Sequence, residues 1–190
     1  DSTTVRVVNT AELDSLLLNQ GTNRTLEVEA YTQLQDGLEF ADQDQLEGVE
    51  DLTIDLGGEV NLGDLSLDNV LANNADNTDE FGTLTINSLL ANGTSNDYLL
   101  PEDGDFGSNA GQTPFPAGAN VIGDISSGPD RGELSRVELN ATGTGLNIQT
   151  ISFSEDGDDP ASTKPTEGDD TVGTLTVKGD KDVTIKSLDT

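Results

Sequence analysis

The apolar positions along this chain recur at fixed offsets separated by polar bends. In "GTLTVKGDKDVTIKSLDT", Gly173 to Thr190, they fall at Leu175, Val177, Val183, Ile185 and Leu188. In "DLTIDLGGEVNLGDLSL" they fall at Leu52, Ile54, Val60, Leu62 and Leu65, the same offsets of 0, 2, 8, 10 and 13. "RVELNATGTGLNIQTISF" repeats the series at Val137, Leu139, Leu146, Ile148 and Ile151, with one extra residue in the bend. Two looser copies carry Leu26, Val28, Leu34 and Leu38, and Leu84, Ile86 and Leu89. The shared unit is a short strand, a bend rich in Gly, Asp and Asn, and a second short strand. Alternation of period two marks a strand buried on one face.

No helix-length apolar pattern lies between the copies, which argues against βαβ units. A strand–bend–strand unit cannot bury its apolar face alone, whereas stacked copies can. The chain therefore reads as all-β, a β-solenoid whose rungs hold these residues inward; the alternative is a β-sandwich, which also alternates and also turns on Gly and Asp. The copies are unevenly spaced, so loops are expected between rungs: 91–133, with "PEDGDFGSNAGQTPFPAGAN" and "SSGPDRG", and 154–171, "SEDGDDPASTKPTEGDDT". Both are too polar and too rich in Pro and Gly to read as strands. At the start, "TVRVV" reads as a strand and "NTAELDSLLLNQG" as a helix. Asn9 or Thr10 can cap it, Leu13, Leu16 and Leu17 share one face, and Gly21 ends it. Such a helix would cover the open apolar end of the first rung. The expected organisation is one solenoid domain over 1–190, with a strand and capping helix in 1–25 and rungs from 26 to 190. A last rung at Gly173–Thr190 with nothing over it is expected to abut further polypeptide or a neighbouring subunit.

Charge narrows the partners. Eight Lys plus Arg stand against 37 Asp plus Glu, a net charge of −29. Nucleic acid and anionic membrane surfaces need clustered cations, so neither is expected as a partner. Such a charge favours solubility and is tolerated best in high salt or with bound divalent cations. No Cys, His, Trp or Met occurs, which removes disulfides, thiolate sites and the usual nucleophilic triads. No apolar run reaches the roughly 18 residues of a membrane span.

On these residues, "TVRVVNTAELDSLLLNQGTNRTLEVEA" resembles the N-terminal entry of right-handed parallel β-helix proteins. "GTLTVKGDKDVTIKSLDT" resembles the repeats of large, acidic, calcium-dependent bacterial or archaeal surface proteins, surface-layer and adhesin proteins among them. The likeness covers about 30 residues in the first case and about 20 per copy in the second, by pattern rather than by a diagnostic motif. It implies an exported structural protein at the cell surface, arranged into a sheet or fibre. The Gly-Gly-x-Gly-x-Asp nonapeptide of secreted calcium-binding toxins is absent, so that calcium solenoid carries over to no position here.

Two acidic stretches are candidate calcium sites. Glu102, Asp103, Asp105 and Asn109 form one, and Glu155, Asp156, Asp158 and Asp159 the other. Calcium takes six to eight oxygens, and spaced carboxylates in a Gly-containing loop can converge on one ion; the same stretches read equally as solvated acidic loops. Asn23, Asn92 and Asn140 begin Asn-x-Thr sequons and are candidate glycosylation sites. For catalysis, paired carboxylates could serve glycoside cleavage, but acids this abundant make any pair uninformative. Lyase chemistry would want cations on the rungs, where Arg136, Lys178 and Lys186 stand. The expectation is a non-enzymatic structural subunit or module of an extracellular assembly such as a surface layer, fibre or adhesin. It would bind copies of itself and be stabilised by Ca2+. The rival readings are a receptor- or glycan-binding segment of a viral or phage fibre and, behind that, a carbohydrate-active enzyme.

Overall fold

The computed structural model describes residues 3–7, 21–30, 32, 34, 37–38, 49–67, 83–91, 118–126, 136–153 and 174–189. These form ten strands: β1 (Thr3–Val7), β2 (Gly21–Val28), β3 (Val49–Leu56), β4 (Leu65–Ser66), β5 (Thr83–Ser88), β6 (Ala119–Ser126), β7 (Arg136–Ala141), β8 (Gly145–Ser152), β9 (Thr174–Gly179) and β10 (Val183–Asp189). No helix occurs among the described residues. The helix expected over 9–21 lies outside them except for Gly21, which opens β2. The stretch 154–171 lies outside them as well.

The strands make two open parallel sheets, one ordered β1-β2-β3-β5-β7-β9 and the other β10-β8-β6-β4. From β3 onward, consecutive strands alternate between the two. Every pairing between these strands is parallel, so the antiparallel hairpin of a β-sandwich is not found there. The all-β expectation holds at this level.

The apolar offsets set the register. In the six-stranded sheet, Leu52, Leu84, Val137 and Leu175 follow one another on neighbouring strands, and Leu26, Ile54, Ile86, Leu139 and Val177 form the next column. In the four-stranded sheet, Ile122, Ile148 and Ile185 form one column and Leu65, Ile125, Ile151 and Leu188 another. Leu38 bridges to Leu65 and extends the second column downward. Both sets of columns face a single core in which Leu26, Leu52, Ile54, Leu84, Ile86, Ile122, Val137, Leu139, Ile148 and Ile151 are fully buried. Each such side chain contributes roughly 1.5–3 kcal/mol.

One expectation is corrected. The stretch 91–133 is not loop throughout, because its residues 119–126 form β6, a central strand of the second sheet. "NVIGDI" places Asn120, Ile122 and Ile125 opposite Leu146, Ile148 and Ile151. It is therefore the missing second half of the copy that begins at Leu84. Asn120 disguised it by standing in an apolar column.

The second-sheet strands share a bend. Their inward residues run at i, i+2 and i+5, where a straight strand would use i+4. The pairing skips Gly123, Gln149 and Lys186, one at each level. A Cβ at 123 would displace the Asp64 carboxylate from its place beside the bend. That carboxylate accepts the Asp124 N–H at 2.9 Å.

At the other end of the six-stranded sheet the chain leaves through corners that stack by backbone bonds. The Glu29 N–H donates to the Val7 carbonyl at 2.9 Å, Gly57 to Val28 at 2.8 Å, Leu89 to Leu56 at 2.9 Å, Thr142 to Ser88 at 3.2 Å and Asp180 to Ala141 at 3.1 Å. At least one bond of this kind joins each level to the next. The last corner needs Gly179, whose φ of +112° is costly for any residue with a Cβ.

Candidate interaction surface

Two features of the stack could meet a partner: the outward face of the six-stranded sheet, and the edge where both sheets end at β9 and β10. On the outward face, alternation turns every second residue to solvent, and parallel register lines these residues into columns. Thr4, Thr25, Thr53, Thr85, Glu138 and Thr176 make one column. Arg6, Glu27, Asp55, Asn87, Asn140 and Lys178 make the column beside it.

The second column is internally bonded. The Asn87 Nδ2 donates to Asp55 Oδ1 at 2.7 Å, and the Asn140 Nδ2 donates to Asn87 Oδ1 at 2.9 Å. Arg6 reaches Glu27 at 3.9 Å and Glu29 at 3.8 Å, while Lys178 Nζ sits 3.0 Å from Glu138 Oε2. A chain with this acid excess thus places amides beside Asp55, where a further carboxylate would repel it, and cations at both ends of the column. Exposed pairs of this kind contribute under about 1 kcal/mol each; their consequence is a defined polar surface.

A polar cluster is also buried where the two sheets meet. Asn120 is fully buried. Its Oδ1 accepts the Val60 N–H at 2.9 Å, and its Nδ2 donates to Ser88 Oγ at 2.8 Å and more weakly to the Leu56 carbonyl at 3.4 Å. Ser88 Oγ in turn donates to the Thr144 carbonyl at 2.7 Å. The Asn120 amide and the Ser88 hydroxyl together tie residues of three successive levels. Arg24, unremarked in the sequence pattern, is buried in the inward column beside Leu52.

The edge at β9 and β10 differs from the levels below it. Val177 and Leu188 are 51% and 47% exposed, although their register partners Leu139 and Ile151 are fully buried. Leu175, Val183 and Ile185 pack on the core and are partly covered. The two edge strands and their corner carry Lys178, Lys181 and Lys186 against Asp180, Asp182 and Asp189, a local net charge of zero.

The acids proposed for calcium (Glu102, Asp103, Asp105, Asn109, Glu155, Asp156, Asp158 and Asp159) lie outside the described residues, as does Asn92. Among the described residues no group of three or more Asp or Glu gathers to hold a metal ion, and no helix is long and apolar enough to cross a membrane. Asn23 lies in β2 and Asn140 in β7. The Asn140 amide nitrogen, the atom a glycan would take, is engaged by Asn87. Of the cations named for lyase chemistry, Arg136 is exposed in β7, and Lys178 and Lys186 lie in the edge strands. No protein-family model, no curated protein and no solved structure matches this chain.

Proposed function

We propose that the chain is a parallel β-helix acting as a structural module of an extracellular assembly, a surface layer, fibre or adhesin, which works by shape and self-association. The observation that carries this reading is the strand order. From β3 to β10 the strands alternate between two parallel sheets, one strand per sheet per level, with the apolar offsets in register. That is how a solenoid winds, and a solenoid leaves open edges on which strands can add. The bonded polar column gives it a hydrophilic flank, and the half-exposed Val177 and Leu188 give it an adhesive edge. Calcium belongs to the proposal as the counterion of an acidic chain, held by the carboxylates of 102–109 and 155–159. Catalysis does not belong to it.

The test is sedimentation and negative-stain microscopy of the purified chain in millimolar calcium and then in chelator. Filaments or lattices that dissolve in chelator support the reading. A monomer at high concentration in both conditions contradicts it.

A further inference from the structure

We infer that the outward face of the six-stranded sheet is where two copies of this chain pair, face to face, about a two-fold axis that runs along the strands and passes through β5. This rests on the self-association just proposed and names the face that mediates it.

The choice of face follows from charge. Copies that each carry −29 repel, so a contact between them needs a surface where the local charge is small and mixed. Beside the threonine column and the bonded column runs a third, with Asp51, Thr83, Arg136 and Thr174. The side chains of these three columns include three cations and four carboxylates, a net of −1. All of them stay exposed or half-exposed, so the face is open.

The register follows from where those charges stand. With β1, β2, β3, β5, β7 and β9 as levels one to six, Arg6 is on the first and Glu27 on the second. Asp51 and Asp55 are on the third, Arg136 and Glu138 on the fifth, and Lys178 on the sixth. A partner turned about the stack axis would set its Asp55 against Asp51. A partner turned about the strand direction midway up the stack would set its Lys178 against Arg6. Like charges so opposed disfavour both arrangements.

A turn about the strand direction through β5 removes both clashes. Level three then faces level five, and level two faces level six. Asp51 meets the partner's Arg136, Glu27 meets the partner's Lys178, and Asp55 meets the amide of the partner's Asn140. The two-fold repeats each pair, as in any isologous contact, which gives four ion pairs. In the middle column Thr25 faces the partner's Thr176, and Thr85 faces its own copy on the axis. Such short side chains let the faces approach to about the 10 Å of packed sheets. Five strands overlap, an area on the order of 400 Å2 per copy at about 4.8 Å per strand and 3.3 Å per residue. By area this is a weak contact that forms at high protein concentration.

The test is sedimentation velocity of the whole chain in about 0.15 M salt, where charges are screened beyond about 8 Å. Arg136→Glu and Asp51→Arg should each weaken dimerisation at least tenfold, because each sets like charges against each other twice. An equimolar mixture of the two variants should regain the wild-type association, since every facing pair is then opposite in sign. Unchanged far-UV circular dichroism verifies that each variant folds. A second measurement does not depend on those variants. The chain has no cysteine, so a thiol cross-linker spanning about 10 Å should join copies of Thr85→Cys. It should not join copies of Thr4→Cys, which would stand six strand spacings apart, about 29 Å. Wild-type dimerisation in either single variant, a mixture no better than its components, or equal cross-linking through Thr4→Cys overturns the inference. Filaments or lattices that persist in Arg136→Glu would overturn this face while leaving the assembly reading standing. A wild-type chain that stays monomeric under all conditions would remove that reading as well.

Discussion

Leu139 and Val177 are register partners on adjacent strands of one sheet, yet Leu139 is fully buried and Val177 is 51% exposed. The same inward position thus carries very different energies one level apart. Leu139→Ala should cost about 2–5 kcal/mol through lost transfer energy and a residual cavity. Val177→Ala should cost about 0.5 kcal/mol, as for a surface substitution. Urea denaturation of the two variants checks this; equal costs would place Val177 within a covered core.

Asn120 should be the polar residue least tolerant of change. Asn120→Ala leaves the buried Val60 N–H without its acceptor and frees the Ser88 hydroxyl from one of its partners. The expected loss is about 1–3 kcal/mol. Ser88→Ala should cost less, about 1 kcal/mol, because the Asn120 Oδ1 bond to Val60 survives it. Thermal melts that rank the two the other way would contradict this network.

These offsets also show how far the sequence could be read. Val137 over Leu175, Leu139 over Val177, Leu146 over Val183, Ile148 over Ile185 and Ile151 over Leu188 are the pairs that the repeat spacing aligned, and they are register partners in the sheets. Apolar periodicity was legible because burial enforces it. β6 was not legible, because Asn120 replaced an apolar residue and was satisfied by Val60, Leu56 and Ser88, partners up to 64 residues away that no local pattern reveals. The outward columns were hidden for a similar reason: alternation says that Asn87 and Asn140 face out, and only register says that they bond. The acidic stretches proposed for calcium lie outside the described residues and stand on composition alone.

The amide column predicts the effect of deamidation. Asn87→Asp would put a second carboxylate where Nδ2 now donates to Asp55 Oδ1 at 2.7 Å. Directly opposed like charges on neighbouring strands should destabilise by up to about 1 kcal/mol at neutral pH. Salt screens such exposed charges, so the deficit is largest at low ionic strength and shrinks as salt is added. Melting curves of both proteins at low and high salt check the sign, which a deficit growing with salt would refute.

A net charge of −29 should make the fold salt-dependent. Raising ionic strength from about 0.01 to 1 M shortens the screening length from about 30 to 3 Å and should raise the melting temperature. Calcium at matched ionic strength should raise it further if the carboxylates of 102–109 or 155–159 bind it. Identical melting in calcium and in chelator at equal ionic strength would leave those stretches as solvated surface.

The most direct test of the stack is a distance along it. Arg6 and Lys178 occupy the two ends of one column, with β1, β2, β3, β5, β7 and β9 in sequence between and including their strands. The chain has no cysteine, so spin labels at Arg6→Cys and Lys178→Cys would be unique, and both native side chains are more than half exposed. Five parallel strand spacings of about 4.8 Å predict a separation near 24 Å, broadened by the label linkers. A narrow dipolar distribution centred there is the expected result. A distribution centred beyond about 35 Å, or one with no resolved peak, would contradict the continuous six-stranded stack on which the account depends.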